Sequence, residues 1–229
     1  MPLTHHWLTH AGLRTADNRD AYTQAERKEA ALYFVADGSS SRPGSGELAR
    51  ALADFLHTAF LQLPTAMLSR DALALALCAA LRDARHELGR RYPQAACSYL
   101  LLALLPEAAF SLHEGDCCLG QIDSVGNIQW LSAPHCQANW RGDSLHADLA
   151  RDSARHRLTR CFSARRQPEP QLSHWPLTAA PQWLLATDGF WADLTPQQQS
   201  QFLHNGQATL ADTDDDISCL LVSAPRAAT

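Results

Sequence analysis

Two Asp-Gly pairs, far apart in the sequence, each follow a short apolar run. Asp37-Gly38 ends the first of these runs, and Asp188-Gly189 ends the second. A buried strand that ends in this way presents a carboxylate at the edge of a sheet, where the backbone has to turn. A third acidic cluster, Asp214–Asp216, stands immediately before the last apolar run. The three blocks predict separate strands that converge on one acidic centre, where hard cations would find oxygen ligands.

Length and composition limit the classes of fold and partner. A chain of 229 residues, 46% of them hydrophobic, can bury a substantial core, and without a repeat or linker we expect one domain over 1–229. The formal net charge of −5, with arginines interspersed among acidic residues, argues against nucleic acid as a partner. No run of about eighteen apolar residues and no signal-peptide pattern occurs, which predicts a cytoplasmic protein without a membrane partner.

Two segments have the periodicity of amphipathic helices. In 47–61 and in 70–92 apolar residues recur every three or four positions, and Pro93 ends the second segment. Neither segment has enough polar pattern to form a stable helix alone. Both helices are therefore predicted to pack on a sheet.

From Cys97 onward the pattern changes to short apolar runs separated by turn residues, which predict antiparallel hairpins. The predicted strands are 7–13, 31–36, 99–105, 109–113, 117–122, 127–131, 183–186 and 217–222. A polar loop is expected between the first two strands. The polar excursion 134–181 is predicted to carry one helix near 145–158, and Thr195-Pro196 opens a short helix. These elements favour an α+β domain whose sheets are covered by helices.

Seven short motifs follow one another over nearly the whole chain. They are Gly12–Arg14 with Asn18–Ala21, Val35–Gly38 with Gly46–Ala49, Cys97–Leu100, Glu114–Cys117, Arg157–Arg160, Thr187–Phe190 and Asp215–Ser218. In this order the chain resembles the metal-dependent serine/threonine protein phosphatases of type 2C, in their compact bacterial form. Each motif alone is weak, whereas seven in the family's order make coincidence a poor explanation.

The resemblance implies a fold, an activity and cofactors. The fold is α+β, a sandwich of two antiparallel sheets flanked by helices, with a two-metal centre at one edge. The activity is hydrolysis of phosphoserine and phosphothreonine in a protein partner by a metal-bound hydroxide, which reverses a cognate Ser/Thr kinase in bacterial signalling. The cofactors are two Mn²⁺ or Mg²⁺ ions with a weaker third, and such hard cations prefer carboxylate oxygens.

By the same resemblance, five residues hold the ions. Asp37 bridges the first two ions, and the carbonyl of Gly38 completes the coordination of one of them. Asp188 and Asp215 hold the second ion. Asp116 helps to hold the third.

Two further residues are implied beside the ions. Asp20 belongs to the metal site because it orders a metal-bound water. Arg14 binds the substrate phosphate, for which a guanidinium is suited because it can form two parallel hydrogen bonds. None of the seven cysteines has an arginine six positions later, so the sequence does not predict a covalent cysteine mechanism.

The chain departs from the family pattern at several positions. Arg19 stands where the family has an acidic or amide residue, and it would bring a positive charge beside the ions. The other departures are Ser39-Ser40 for two glycines, Ser98-Tyr99 for two threonines and Cys117-Cys118 for Ser-Arg.

These departures leave alternatives to the enzyme open. One is a catalytically weak or inactive pseudo-phosphatase that acts as a binding module, and another is a two-metal hydrolase of a different class, which has no motif of its own here. The retained Asp37, Asp188 and Asp215 favour the phosphatase, because a module without metal has no reason to bury three carboxylates.

Overall fold

The structure, a computed structural model, describes residues 3–177, 182–206 and 213–223, and these ranges contain eleven strands and five α-helices. The strands are β1 (Thr4–His10), β2 (Asp20–Glu26), β3 (Ala31–Gly38), β4 (Ala96–Leu105), β5 (Ala108–Glu114), β6 (Cys118–Ile122), β7 (Ile128–Trp130), β8 (Phe162–Ser163), β9 (Gln171–Trp175), β10 (Gln182–Ala186) and β11 (Ile217–Ser223). The helices are α1 (Ser45–Gln62), α2 (Arg70–Arg91), α3 (His146–Leu149), α4 (Asp188–Asp193) and α5 (Pro196–Asn205).

The strands form two antiparallel sheets. The first sheet has the order β1-β11-β10-β6-β7, and the second has the order β2-β3-β4-β5-β9, with β8 paired beside β4. Strand β1 pairs with β11 along its whole length, from Thr4 opposite Ser223 to His10 opposite Ile217. The first and last described strands therefore lie side by side.

Strand β3 shows how alternation along a strand separates the layers. Leu32 and Phe34 pack in the cluster that contains helices α1 and α2, whereas Tyr33 and Val35 pack against the first sheet. Successive side chains of a strand point to opposite faces, so an uninterrupted buried run requires cover on both faces. Full burial of each apolar side chain of this size contributes about 1.5–3 kcal/mol to the free energy of folding.

The outer face of the first sheet is covered by the C-terminal helices. Leu184 on β10 and Cys219 on β11 pack with Phe190, Trp191 and Phe202 from α4 and α5. The layers thus follow the order helices, sheet, sheet, helices. The predicted α+β sandwich of two antiparallel sheets is confirmed.

The two long helices have the predicted apolar stripes. Helix α1 buries Leu48, Leu52, Leu56 and Phe60 at four-residue spacing. Helix α2 ends at Arg91, shortly before the proline that was expected to stop it. No helix in 3–177, 182–206 or 213–223 is long and apolar enough to cross a membrane.

Two predictions near the start of the chain are wrong. Strand β1 spans Thr4–His10 rather than 7–13, and strand β2 occupies Asp20–Glu26, where a polar loop was expected. The buried positions of β2 are Ala21 and Ala25. Two small alanines among polar residues give a weak apolar signal, which explains why the strand was missed.

The prediction of one helix over 145–158 is also wrong. The chain forms the single turn α3 and then a 3₁₀ helix at Ser153–His156, which Asp152 caps by accepting a hydrogen bond from the Ala154 amide. Strands β8 and β9 and helix α4 were not predicted. Residues 178–181, the end of the predicted excursion, lie outside the described residues.

Candidate active site

Strand register brings two of the expected site residues together. Asp20, at the start of β2, lies opposite Asp37 near the end of β3, and Asp37 lies opposite Ser98 on β4. Gly38 is the last residue of β3. Thr187, directly after β10, donates a hydrogen bond to Oδ2 of Asp20 over 3.1 Å, so the first sheet also reaches this edge.

Asp116 is held firmly in the turn between β5 and β6. Its Oδ1 accepts a hydrogen bond of 2.6 Å from the hydroxyl of Ser98. Its backbone carbonyl accepts a bond of 2.8 Å from Nε1 of Trp191 on α4. Serine at position 98 therefore supplies a hydroxyl to Asp116, although the residue departs from the family's threonine.

Asp188, the first residue of α4, is bound by a buried arginine. Arg155 donates from Nη1 to Oδ2 of Asp188 over 3.0 Å, and both side chains are about 10% exposed or less. The other amino group of Arg155 pairs with Asp193 at the end of α4. A single guanidinium thus ties the irregular segment before β8 to both ends of this helix.

The neighbours Asp215 and Asp216 have different surroundings. Asp215 accepts a hydrogen bond of 2.8 Å from Nη1 of Arg14, whose side chain is 43% exposed. Asp216 is buried and accepts bonds from the backbone amides of Gly12 and Arg19, over 2.9 and 2.7 Å. Asp216 therefore fixes the loop that carries Arg14, whereas the neighbouring Asp215 pairs with the Arg14 side chain itself.

Two glycines allow this acidic loop to pass through a narrow gap. A Cβ on Gly12 would lie 2.4 Å from the carbonyl of Asp215, and a Cβ on Gly189 would lie 2.1 Å from the carbonyl oxygen of Asp216. Real side chains do not tolerate such distances. Glycine at both positions is required by the close approach of backbone on either side.

A cavity of about 560 Å³, which we call the acidic pocket, opens at this edge of the sandwich. Its charged and hydroxyl-bearing lining residues are Arg14, Asp37, Ser39, Ser40, Ser41, Arg42, Ser98, Asp116, His156, Asp188 and Asp215. The structure therefore brings Arg14 and four of the expected aspartates to one cavity. Asp20 and Gly38 do not line the cavity and lie on the strands beside it.

Burial and mutual repulsion perturb these carboxylates. Burial raises the pKa of Asp37 well above its ordinary value, and the nearby Asp188 and Asp20 raise it further. Burial also raises the pKa of Asp20, and burial together with Asp188 raises the pKa of Asp116 to about 7. The pKa of Asp215 is raised by burial and by Asp188, against the opposing effect of Arg14. The pocket thus concentrates negative charge that its arginines do not fully compensate.

The donor set fits a hard divalent cation. Oδ1 of Asp20 is buried and has no hydrogen-bond partner among the described residues, so it is free to accept a bond from a metal-bound water. As the side chains stand, no three His, Cys, Asp or Glu groups in the described ranges are close enough to hold an ion. Two of the carboxylates are paired with guanidinium groups, Asp215 with Arg14 and Asp188 with Arg155.

Arg19 does not bring its charge into the acidic pocket. Its Nη1 donates to the carbonyl oxygens of Ser39 and Arg42, over 3.0 and 3.1 Å, and its Nε lies 3.4 Å from Oδ1 of Asp17. The guanidinium thus shapes the loop after β3, and a positive charge beside the ions stays a prediction.

Sequence reasoning missed four residues with a part in this site. Arg155 pairs with both ends of α4, Asp216 holds the loop that carries Arg14, and Arg42 and His156 line the pocket. The signal for Arg155 and His156 was their place immediately before the Arg157–Arg160 motif. No sequence pattern indicated which aspartate of the acidic cluster would be buried.

The sequence matches the family model described as Protein phosphatase 2C over residues 11–222. No curated protein matches the chain.

Several solved structures share the fold. The serine/threonine phosphatase of S. agalactiae is 18% identical with a TM-score of 0.80, and the alignment covers 98% of this chain and 100% of that one. Stp1 from Staphylococcus aureus is 15% identical with a TM-score of 0.82, covering 98% and 96%. PppA, described as a key regulatory component of T6SS in Pseudomonas aeruginosa, is 19% identical with a TM-score of 0.71, covering 97% and 98%.

Proposed function

Because the chain belongs to the protein phosphatase 2C family, a family of metal-dependent protein serine/threonine phosphatases, we propose that it removes phosphate from phosphoserine and phosphothreonine in proteins. The observation that carries the proposal is the acidic pocket, in which Asp37, Asp116, Asp188 and Asp215 converge beside Arg14. An excess of buried carboxylates beside a guanidinium is the composition expected for a site that binds divalent cations and a phosphate together.

Five residues of the chain would hold the ions. Asp37, the Gly38 carbonyl, Asp188 and Asp215 would hold two Mn²⁺ or Mg²⁺ ions, and Asp116 would contribute to a third. When bound, these ions neutralise charge on the phosphate and lower the pKa of a water that attacks phosphorus. The raised pKa values of the carboxylates support this assignment, because cations would relieve the repulsion among them.

Other residues of the pocket act on the substrate and the water. Arg14 is half-exposed at the pocket and would bind phosphate oxygens with the amino groups that Asp215 leaves free. Arg42 adds a second cation to the lining. The buried, unpartnered Oδ1 of Asp20 would accept a hydrogen bond from the attacking water and orient it.

The substrate would be the product of a Ser/Thr kinase, since phosphoserine and phosphothreonine in proteins arise by phosphoryl transfer. The chain would then reverse that kinase in bacterial signalling. The fold that it shares with PppA, a regulatory component, supports a signalling role.

A second candidate is a binding module with weak or no turnover. The two ion pairs favour this candidate, because Arg14 holds Asp215 and Arg155 holds Asp188. In such a module the guanidinium groups would replace the ions as partners of the carboxylates.

One assay separates the two candidates. Purified protein with Mn²⁺ is expected to hydrolyse p-nitrophenyl phosphate, and EDTA should abolish the turnover. The double variant Asp37→Asn, Asp188→Asn should lose at least about 10²–10³-fold of the rate, since preorganised charge at such a centre contributes on this scale. The matched control is Asp214→Asn, an exposed aspartate of the acidic cluster, which should keep the rate.

A metal titration gives a readout that does not depend on turnover. Mn²⁺ should raise the melting temperature of the wild type and of Asp214→Asn but not that of the double variant, because an ion that binds the folded state stabilises it. A wild type without turnover above the double variant would leave the binding module as the better description.

A further inference from the structure

A second cavity next to the acidic pocket has the opposite character. It has a volume of about 500 Å³ and is lined by three exposed arginines, Arg141, Arg160 and Arg166. We call it the arginine cavity. Nothing in the proposed hydrolysis uses these three residues.

The two cavities share a wall. The segment 158–161 runs between them, and Cys161 lines both. On the sheet side, Glu114 lines the arginine cavity and Asp116, two positions later, lines the acidic pocket. Two residues of chain span at most about 7 Å. A peptide with its phosphorylated residue in the acidic pocket would therefore reach the arginine cavity within a few residues.

The arginines outnumber the free carboxylates of the cavity. Glu114 and Glu169 are its acidic lining residues. Both oxygens of Glu114 are engaged within the protein, since they accept hydrogen bonds of 3.0 Å from the hydroxyl of Tyr99 and from the amide of Glu169. Glu169 is exposed at the surface. The cavity thus presents a net positive charge.

The arginines keep donors available for a ligand. Arg166 uses one amino group to bind the carbonyl of Thr159 over 2.9 Å, and Arg141 lies over the ring of Trp140 at 4.8 Å. A guanidinium has five N–H donors, so most of them stay free. The surrounding segment 135–171 also has an excess of positive charge. It carries seven arginines and four acidic residues, although the whole chain has a net charge of −5.

We propose that the arginine cavity binds carboxylates of an acidic segment that flanks the phosphorylated residue of the substrate. This inference rests on the proposed phosphatase function and adds a substrate class to it. Carboxylates are the matching ligand because guanidinium groups bind them with two parallel hydrogen bonds. The chain would therefore prefer phosphoproteins that are acidic beside the site of modification.

The test compares matched phosphothreonine peptides that carry either three Glu or three Gln residues, on the N-terminal or the C-terminal side. With Mn²⁺, kcat/KM for a Glu peptide should exceed that for its Gln counterpart by about tenfold, and added salt should reduce the difference. Arg141→Gln and Arg160→Gln should each reduce the preference by about threefold, or roughly 0.7 kcal/mol, as expected for the loss of a partly exposed charge pair. Turnover of p-nitrophenyl phosphate should be unchanged in both variants.

Arg151 provides the matched control. It lies in the same segment, lines a different cavity of about 740 Å³ and pairs with Asp148 over 2.9 Å. Arg151→Gln should leave the preference for Glu peptides intact. An equal loss in Arg151→Gln would show a general effect of surface charge and would overturn the proposal.

A binding measurement keeps the inference separate from the enzymatic proposal. The same peptides are titrated in EDTA against ¹⁵N-labelled protein by NMR, which detects affinities in the millimolar range. Tighter binding of the Glu peptide, with shifts in 158–166 that Arg141→Gln and Arg160→Gln remove, supports the arginine cavity even in a protein without turnover. Equal binding of Glu and Gln peptides overturns it, whatever the result with p-nitrophenyl phosphate.

Discussion

The two sides of the acidic pocket are built in different ways. On one side, Asp20 and Asp37 stand on strands whose antiparallel register fixes which residues face each other. On the other side, the segment 134–170 has one turn of α-helix, two short 3₁₀ turns and the two-residue strand β8. Its backbone pairing is limited to β8 with β4 and a bridge between Cys136 and Leu158, and polar side chains such as Arg155 connect it to α4.

The two sides differ in which interactions determine the positions of their residues. A strand end is positioned by the whole sheet, so a local pattern of apolar residues already indicates where its carboxylate will lie. An irregular segment is positioned by single contacts across long sequence distances, such as Arg155 with Asp188, 33 residues apart. Breaking one such contact should therefore damage the irregular side far more than the sheet side.

The largest effect is expected from Arg155→Ala. Removal of the guanidinium leaves Asp188 and Asp193 without their buried partner, which should cost about 3–5 kcal/mol of unfolding free energy, or ~10 °C in Tm. Urea and thermal unfolding in EDTA measure the loss. If Asp188 binds an ion as proposed, saturating Mn²⁺ should recover part of it.

Arg151→Ala is the control for this comparison. The Arg151–Asp148 pair is exposed, and its loss should cost less than about 1 kcal/mol. Equal stability of the two variants would contradict the view that Arg155 fastens the irregular side to α4.

A smaller effect on stability is expected when the pH is lowered. It arises at His113, where the sheet side of the pocket contacts the irregular side. His113 on β5 is fully buried, donates from Nε2 to the carbonyl of Ala133 over 3.1 Å and stacks on His135 at 4.4 Å. Burial lowers the pKa of His113 to about 4, with a smaller contribution from His135. Between pH 6.5 and 4, His113 binds a proton in the unfolded chain but not in the folded chain. The contribution of buried, neutral His113 to the unfolding free energy is therefore complete above pH 6.5 and is lost as the pH falls to 4.

The size of the loss should approach about 3 kcal/mol over the full range. His113→Gln, whose amide can still donate to Ala133, should show a flatter dependence of the urea midpoint on pH between 7.5 and 5. Hydrogen-exchange protection factors at 133 and 135, corrected for the intrinsic rate at each pH, should fall in acid in the wild type. An identical pH dependence in the variant would mean that other groups determine it.

The smallest of the three effects distinguishes two aspartates of the acidic cluster, Asp214 and Asp216. Asp216→Asn replaces the charged acceptor of the Gly12 and Arg19 amides, which should cost about 1–3 kcal/mol. Asp214→Asn, at an exposed position of the same loop, should change the unfolding free energy by less than about 0.5 kcal/mol. Similar values for both variants would show that Asp216 does not anchor the Arg14 loop.

The sequence predicted the sheet side better than the irregular side, for physical reasons. The buried runs of β3 and β10 and the stripe of α1 are local patterns, and they were confirmed at nearly the correct positions. Strand β2 was missed because its buried residues are alanines. The helix expected near 145–158 is limited to one turn, because Leu149 is buried but Leu145 is 70% exposed and 150–157 has no large apolar residue.

The site shows the same contrast. Motif order brought Arg14, Asp37, Asp116, Asp188 and Asp215 into one prediction, and the structure gathers these residues around one cavity. Their roles toward metal ions and phosphate are still predictions. Motif order could not show the burial of Asp216 or the direction of the Arg19 side chain. Both depend on which backbone groups lie nearby in the folded chain.

The pairing of β1 with β11 also determines when the protein can fold during synthesis. Strand β1 is synthesised before the other described strands, but the residues opposite it are made more than 200 positions later. Asp37 is likewise synthesised long before Asp188 and Asp215, with which it lines the acidic pocket. Contacts of such long sequence separation slow folding and leave strands exposed in the meantime. The nascent chain is therefore expected to hold its acidic centre unassembled until β11 has left the exit tunnel.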